Sequence, residues 1–131
     1  MTIAGSGGME VSVAGTADRS IIERLIQLYL YDMASEARFP LGADGSYDYG
    51  LLDQFWEHPY LLRIAGEIAG FALVIGTCPI TRASPCWFMA EFFVLRPYRL
   101  HARGRAFFKG IMSRHPGRWH VAVQVQNRGA E

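Results

Sequence analysis

Glu91-Phe-Phe-Val-Leu-Arg-Pro-Tyr-Arg-Leu-His-Ala-Arg-Gly-Arg-Ala106 decides how this chain is read. Its first five residues close an almost wholly apolar run from Trp87 to Leu95, which predicts a strand buried on both faces. Arg96 to Ala102 reads as a turn, and Arg103 to Arg114 as a helix with Ala106, Phe107, Gly110 and Ile111 inward. Pro116-Gly117 stops that helix. A strand therefore feeds a helix through a tight basic turn. A helix start presents unpaired backbone N–H groups and a partial positive charge, which together suit a phosphate. Ala102 and Gly104 are small enough to let the backbone approach a ligand, and Arg99, Arg103 and Arg105 add counter-charge. A solvated basic helix face is the competing reading.

Working outward, Met9 to Ala14 alternates Val11 and Val13 with smaller or polar residues and reads as a first strand. Thr16 or Asp18 suits a helix cap, and Ile22, Leu25, Ile26, Tyr29, Leu30 and Met33 recur at helical spacing toward Ala37. Pro40, Gly42, Gly45 and Ser46 mark a loop, and Tyr49 to Glu57 reads as a short helix with Leu51, Leu52, Phe55 and Trp56 inward. Tyr60 to Ala65 and Ile68 to Thr77 are apolar runs joined at Gly66-Glu67, a hairpin signal. Thr77 to Pro85 is a loop. Trp119, Val121, Val123 and Val125 alternate with His120, Ala122 and Gln124 in a last strand. This order predicts an α/β (α+β) fold with a mixed, mostly antiparallel sheet flanked by helices. Residues 1–8 read as a flexible Gly-rich lead-in, and 9–131 as one domain.

Half of the 131 residues are apolar and 19% are charged, an ordinary globular balance with material for a core. No apolar run approaches the ~20 residues that span a bilayer, and the start lacks a signal-peptide pattern. No membrane is therefore expected as a partner. Cys78 and Cys86 fit no common zinc spacing and are too few for a disulfide scaffold, so they read as reduced thiols of a cytoplasmic protein. Net charge is only +1, but it is unevenly spread. Residues 1–67 hold ten acids and four bases, whereas residues 68–131 hold two acids and nine bases. A phosphorylated ligand would therefore favour the second half. Nucleic acid is the weaker reading of that charge, because Phe107, Phe108 and Trp119 are better explained as core.

The quoted stretch resembles the GNAT acetyltransferase superfamily. Its diphosphate signature is Arg or Gln, two residues, Gly, one residue, then Gly or Ala, which maps to Arg99, Ala102 and Gly104, with Ala102 replacing the first Gly. Val94-Leu95 and Pro97-Tyr98 are similar to the family's lead-in, and the resemblance runs from about Met9 to Asn127. It implies acetyl-CoA as co-substrate, no metal, and a small-molecule or peptide amine as acceptor. It also implies that Phe93, Val94, Leu95, Arg99, Leu100, His101, Ala102, Arg103, Gly104, Arg105 and Asn127 meet the cofactor. The strands on either side of the third helix would splay to admit the pantetheine arm. A backbone N–H between Phe93 and Leu95 would polarise the thioester carbonyl. The amine would then attack directly, held neutral by a base.

Glu91 is the candidate base. It is the only acid between Ile68 and Ala130, and it sits inside an apolar strand, where burial raises a carboxyl pKa. A structural carboxylate paired with a nearby arginine is the alternative. Tyr29, Tyr31, Tyr47 and Tyr49 fall where the family builds its acceptor pocket; Tyr29 lies on the inward stripe and reads as core, and Tyr47 in the loop is the acceptor-site candidate. Asp44 and Asp48 read as a solvated loop. His58, His101, His115 and His120 show no metal-ligand spacing; His101 lies in the phosphate turn, and His120 alternates away from the apolar face. The family normally continues with a helix and two strands that carry a general-acid Tyr, and this chain ends at Glu131. An uncovered strand edge at Val121 to Val125 would invite a second copy and a homodimer. A non-catalytic CoA-binding or protein-interaction module on the same fold is the alternative function.

Overall fold

The computed structural model describes residues 8–79 and 86–121. Five strands form one sheet in the order β1 (Met9–Val13), β2 (His58–Ile64), β3 (Glu67–Ile75), β4 (Trp87–Val94), β5 (Trp119–His120). The first four are antiparallel neighbours, and β5 lies parallel to β4. Between β1 and β2 come α1 (Arg19–Ala37) and the single turn α2 (Leu52–Phe55); α3 (Arg103–Arg114) connects β4 to β5. The expected Val123, Val125 and Asn127 lie outside the described residues.

Helices cover both faces, and strand alternation sorts the core into two halves. On one face Ile22, Leu25, Ile26, Tyr29 and Leu30 of α1 pack with Leu52 against Leu61, Phe71, Leu73 and Phe93. On the other, Phe107 and Ile111 of α3 pack against Val11, Leu62, Ala72, Val74, Met89 and Val94. Phe71 and Phe107 are wholly buried, each contributing roughly 2–3 kcal/mol of transfer free energy. The Arg114 guanidinium ties the end of α3 to β1 by donating to the Val11 carbonyl at 2.8 Å.

Several boundaries differ from the sequence reading. The hairpin turn is Ala65-Gly66, both at positive φ (52° and 85°), and Glu67 already pairs with Ile64. Such a two-residue turn needs the left-handed region twice, which Gly66 supplies freely. The second helix shrinks to Leu52–Phe55, and Leu51 is exposed rather than inward. On α3 the inward stripe is Gly104, Phe107 and Ile111, and Ala106 faces out. β4 is only partly covered over Phe88 and Ala90 to Phe92, not buried on both faces. Among the described residues β5 pairs with it at Trp87 and Phe88. Gly70 lies opposite Val94, where any Cβ would overlap the Phe93 carbonyl oxygen, so β3 and β4 meet there only because the side chain is hydrogen.

The two cysteines are not free thiols. Cys78 and Cys86 form a disulfide, their Cα atoms 5.6 Å apart. They sit just beyond the ends of β3 and β4, which are antiparallel partners. Strand pairing brings them within bridging range, a proximity that their sequence spacing does not reveal.

Candidate functional site

A bulge in β4 creates the site. Leu73 pairs with Glu91 and Val74 with Met89, leaving Ala90 as an extra residue. Regular alternation would put Met89 and Glu91 on the same face. The extra residue breaks it, so Met89 joins the core under α3 while Glu91 points toward α1. Tyr29 of α1 donates its hydroxyl hydrogen bond to Glu91 Oε1 at 2.6 Å, and Tyr49 donates to Oε2 at 2.7 Å. Burial pushes the Glu91 carboxyl up from the usual carboxylate range, and the two phenols oppose that shift by bonding the charged form. Burial and the neighbouring carboxylate raise the pKa of both tyrosines, so each remains a donor.

Each phenol is held by its own support. Tyr29 is wedged between Phe71 and Phe93, ring centroids 5.7 and 5.4 Å away. Tyr49 extends from the loop after α1, and that loop is pinned through Tyr47. The Gln27 amide donates to the Tyr47 carbonyl at 2.9 Å and accepts from the Tyr47 N–H at 2.8 Å. Beside this pairing lies a cavity of about 320 Å³, walled by Arg19, Glu23, Gln27, Tyr47, Tyr49 and Asp53 among others. Tyr47 thus falls on the cavity. The Tyr49 and Tyr29 contacts to Glu91 were missed in the sequence, where Tyr29 reads only as core.

Beyond Glu91, β4 runs to the basic turn. The Leu95 N–H donates to the Ala69 carbonyl at 2.8 Å. Successive amides along a strand point to opposite edges, so the Val94 N–H points away from β3, to the side that β5 occupies further down. Arg96–Tyr98 forms a 3₁₀ turn. His101 (φ 64°) and Ala102 (φ 57°) then take the left-handed region in succession and deliver the chain into α3. The Ala106 N–H to Ala102 carbonyl bond, 3.1 Å, opens the helix, so the amides of Arg103, Gly104 and Arg105 project from its end. Leu100, His101 and Arg105 are exposed, Arg103 is half-buried and Gly104 is buried.

Arg99 faces inward. Its Nε donates to the Val94 carbonyl at 2.6 Å and its guanidinium pairs with Asp32 of α1 at 2.8 Å. Arg96 pairs with the same carboxylate at 2.7 Å. Burial raises the Asp32 pKa, but hydrogen bonds and charge from the two arginines outweigh it and hold the carboxyl below its usual range. Arg99 thus braces α1 against the end of β4 and the turn.

At the other end of β4 lies a histidine cluster that no local spacing announces. His115 is buried, shares a 2.5 Å hydrogen bond with the Tyr60 hydroxyl, and packs on Trp87 and His58 at 4.2 and 4.8 Å. Burial, then His58 and Arg114, lower its pKa. His120 lies beside Phe88. Among the described residues no group of His, Cys, Asp and Glu is arranged to hold a metal ion, and no helix is long and apolar enough to cross a membrane.

The fold is that of the GNAT-like acetyltransferases. No protein-family model and no curated sequence matches the chain. The likeness lies in solved structures. An aminoglycoside acetyltransferase from an uncultured soil metagenomic sample is 10% identical, with a TM-score of 0.62 over 91% of this chain and 80% of that one. The ribosomal-protein-alanine N-acetyltransferase of Brucella melitensis biovar Abortus is 12% identical, with a TM-score of 0.61 over 92% and 84%. A predicted acetyltransferase of Clostridium acetobutylicum, crystallised with acetyl-CoA, is 8% identical, with a TM-score of 0.60 over 93% and 85%. At these identities the likeness is one of fold.

Proposed function

We propose that the chain is an N-acetyltransferase that transfers acetyl from acetyl-CoA to a primary amine by direct attack in a ternary complex. The observation that carries this reading is Glu91, a half-buried carboxylate placed by a bulge and held by two phenols, three residues before the outward-facing Val94 amide. An alkyl ammonium has a pKa near 10, so at neutral pH only about one molecule in a thousand is nucleophilic. A carboxylate whose pKa burial has raised is a suitable acceptor for that proton. Val94 N–H is the donor suited to the thioester oxygen as negative charge develops there. The amides opening α3, with Arg103 and Arg105, are the groups suited to the diphosphate. Gly104 leaves room for it, and the left-handed pair His101-Ala102 aims those amides. The cavity beside Tyr47 and Tyr49 is the acceptor site in this scheme. Proteins of this fold include an aminoglycoside acetyltransferase and a ribosomal-protein-alanine N-acetyltransferase, so aminoglycosides and an alanine peptide belong in the substrate screen.

A thiol-release assay with acetyl-CoA and a panel of amines tests the reading. Turnover is expected on at least one amine, and Glu91→Gln should lower kcat by about 10²-fold or more. Acetyl-CoA binding without turnover on any amine would replace the enzyme with a non-catalytic CoA-binding module. Turnover unaffected by Glu91→Gln would remove the proposed base.

A further inference from the structure

We infer that Tyr49 is the catalytic residue that meets the acceptor amine in this cavity, and that its phenol links the amine to Glu91. This inference rests on the acetyltransferase reading and deepens it. The cavity wall contains Tyr49 but neither Glu91 nor Tyr29. Tyr29 is 8% exposed and locked among Phe71 and Phe93, so its hydroxyl serves Glu91 Oε1 from the core side. Tyr49 is half-buried and belongs to both environments: it lines the cavity, and its hydroxyl donates to Oε2. An amine in the cavity therefore has Tyr49 on its wall, and Glu91 one hydrogen bond beyond.

The proton balance closes without a further reactant. The ammonium gives a proton to the Tyr49 oxygen as the Tyr49 proton passes to Glu91 Oε2. Tyr49 is neutral before and after, Glu91 becomes the neutral acid, and the amine becomes a nucleophile. Its nitrogen lone pair then forms the C–N bond while the C–S bond breaks and sulfur keeps the electron pair. The second nitrogen proton balances that thiolate, and Glu91 returns its proton to water along the same path. Two phenols are needed because they do different things. Tyr29 fixes the carboxylate against rotation, and Tyr49 carries the proton. Gln27 is the positioning residue for the relay, since its two bonds to Tyr47 hold the loop that brings Tyr49 in.

The test compares wild type, Tyr49→Phe and 3,5-difluorotyrosine at position 49, with spermidine, an aminoglycoside and an Ala-terminated peptide as acceptors. Tyr49→Phe keeps the ring and removes the relay. It is expected to lower kcat by about 10²-fold with little change in KM and to abolish the solvent isotope effect. The fluorinated residue keeps the hydroxyl but lowers its pKa, so activity should persist with the kcat/KM pH profile displaced to lower pH. A purely structural phenol would move the profile in the same sense through its bond to Glu91, so the discriminating readout is the solvent isotope effect, which Tyr49→Phe removes only if the proton passes through the phenol. Wild-type turnover that Tyr49→Phe leaves unchanged, or a solvent isotope effect that survives that substitution, overturns the relay and leaves the acetyltransferase reading intact. Absence of wild-type turnover on every acceptor overturns the acetyltransferase reading and the relay with it.

Discussion

Replacing Asp32 by Asn would test whether the Arg99 brace holds the turn in place. Asp32 and Arg99 side chains are 16% and 14% exposed, and their closest nitrogen and oxygen are 2.8 Å apart. Removing one partner of a fully buried pair costs about 3–5 kcal/mol, mostly because the other charge is left stranded. Here the residual exposure and the Val94 carbonyl relieve part of that, which brings the loss to about 2–3 kcal/mol. Arg96 is 69% exposed, so losing its half of the pair adds well under 1 kcal/mol. For a domain of this length each kcal/mol moves Tm by roughly 3–5 °C, so a fall of about 10 °C is expected. Urea unfolding should show a lower midpoint at an unchanged slope. A double-mutant cycle with Arg99→Met should return a coupling of about 1–3 kcal/mol. A loss below about 0.5 kcal/mol, or strict additivity, would show that the pair is solvated and that something else fixes the turn.

Gly70→Ala puts a methyl group on the Phe93 carbonyl oxygen and should cost about 2–4 kcal/mol, seen as a large drop in Tm or loss of soluble protein. Ala102→Gly removes a left-handed alanine at the mouth of α3; it should raise stability by about 0.5–1 kcal/mol in urea unfolding and leave the fold unchanged. His115 has a folded pKa below its unfolded one, so the unfolded chain binds the extra proton. Its neutral form costs nothing above about pH 6.5, and stability falls as pH drops through that value. Melting curves from pH 7.5 to 5 should show a shallower acid slope in His115→Gln than in wild type.

The strand-turn-helix was legible because every level of the sequence agreed there. The apolar run from Trp87 ends where β4 ends, give or take a residue, and α3 occupies Arg103–Arg114 as its periodicity predicts. The charge asymmetry was legible too, as composition. Pairing was not. Nothing in the order Met89-Ala90-Glu91 announces a bulge, because a bulge is a mismatch between two strands and needs both registers. The same limit hid the roles of the tyrosines. Tyr29 satisfies the helical apolar period, so its hydroxyl bond to a residue 62 positions away leaves no local trace. Arg99 was identified as a charge for phosphate, and only the position of α1 reveals Asp32 as its partner. Cys78 and Cys86 were misjudged for a related reason: their bridge depends on where two strands end, not on the spacing between them.

Calorimetric titration of the unmodified chain with acetyl-CoA and, separately, with S-acetylpantetheine addresses the diphosphate cradle without altering a residue. The truncated compound keeps the thioester and the arm but lacks the groups meant for the α3 amides. Two charge-assisted hydrogen bonds at about 1.5 kcal/mol each predict saturable one-to-one binding of acetyl-CoA, roughly 100-fold tighter than S-acetylpantetheine. Equal affinity for the two compounds, or no heat from either, would contradict the account.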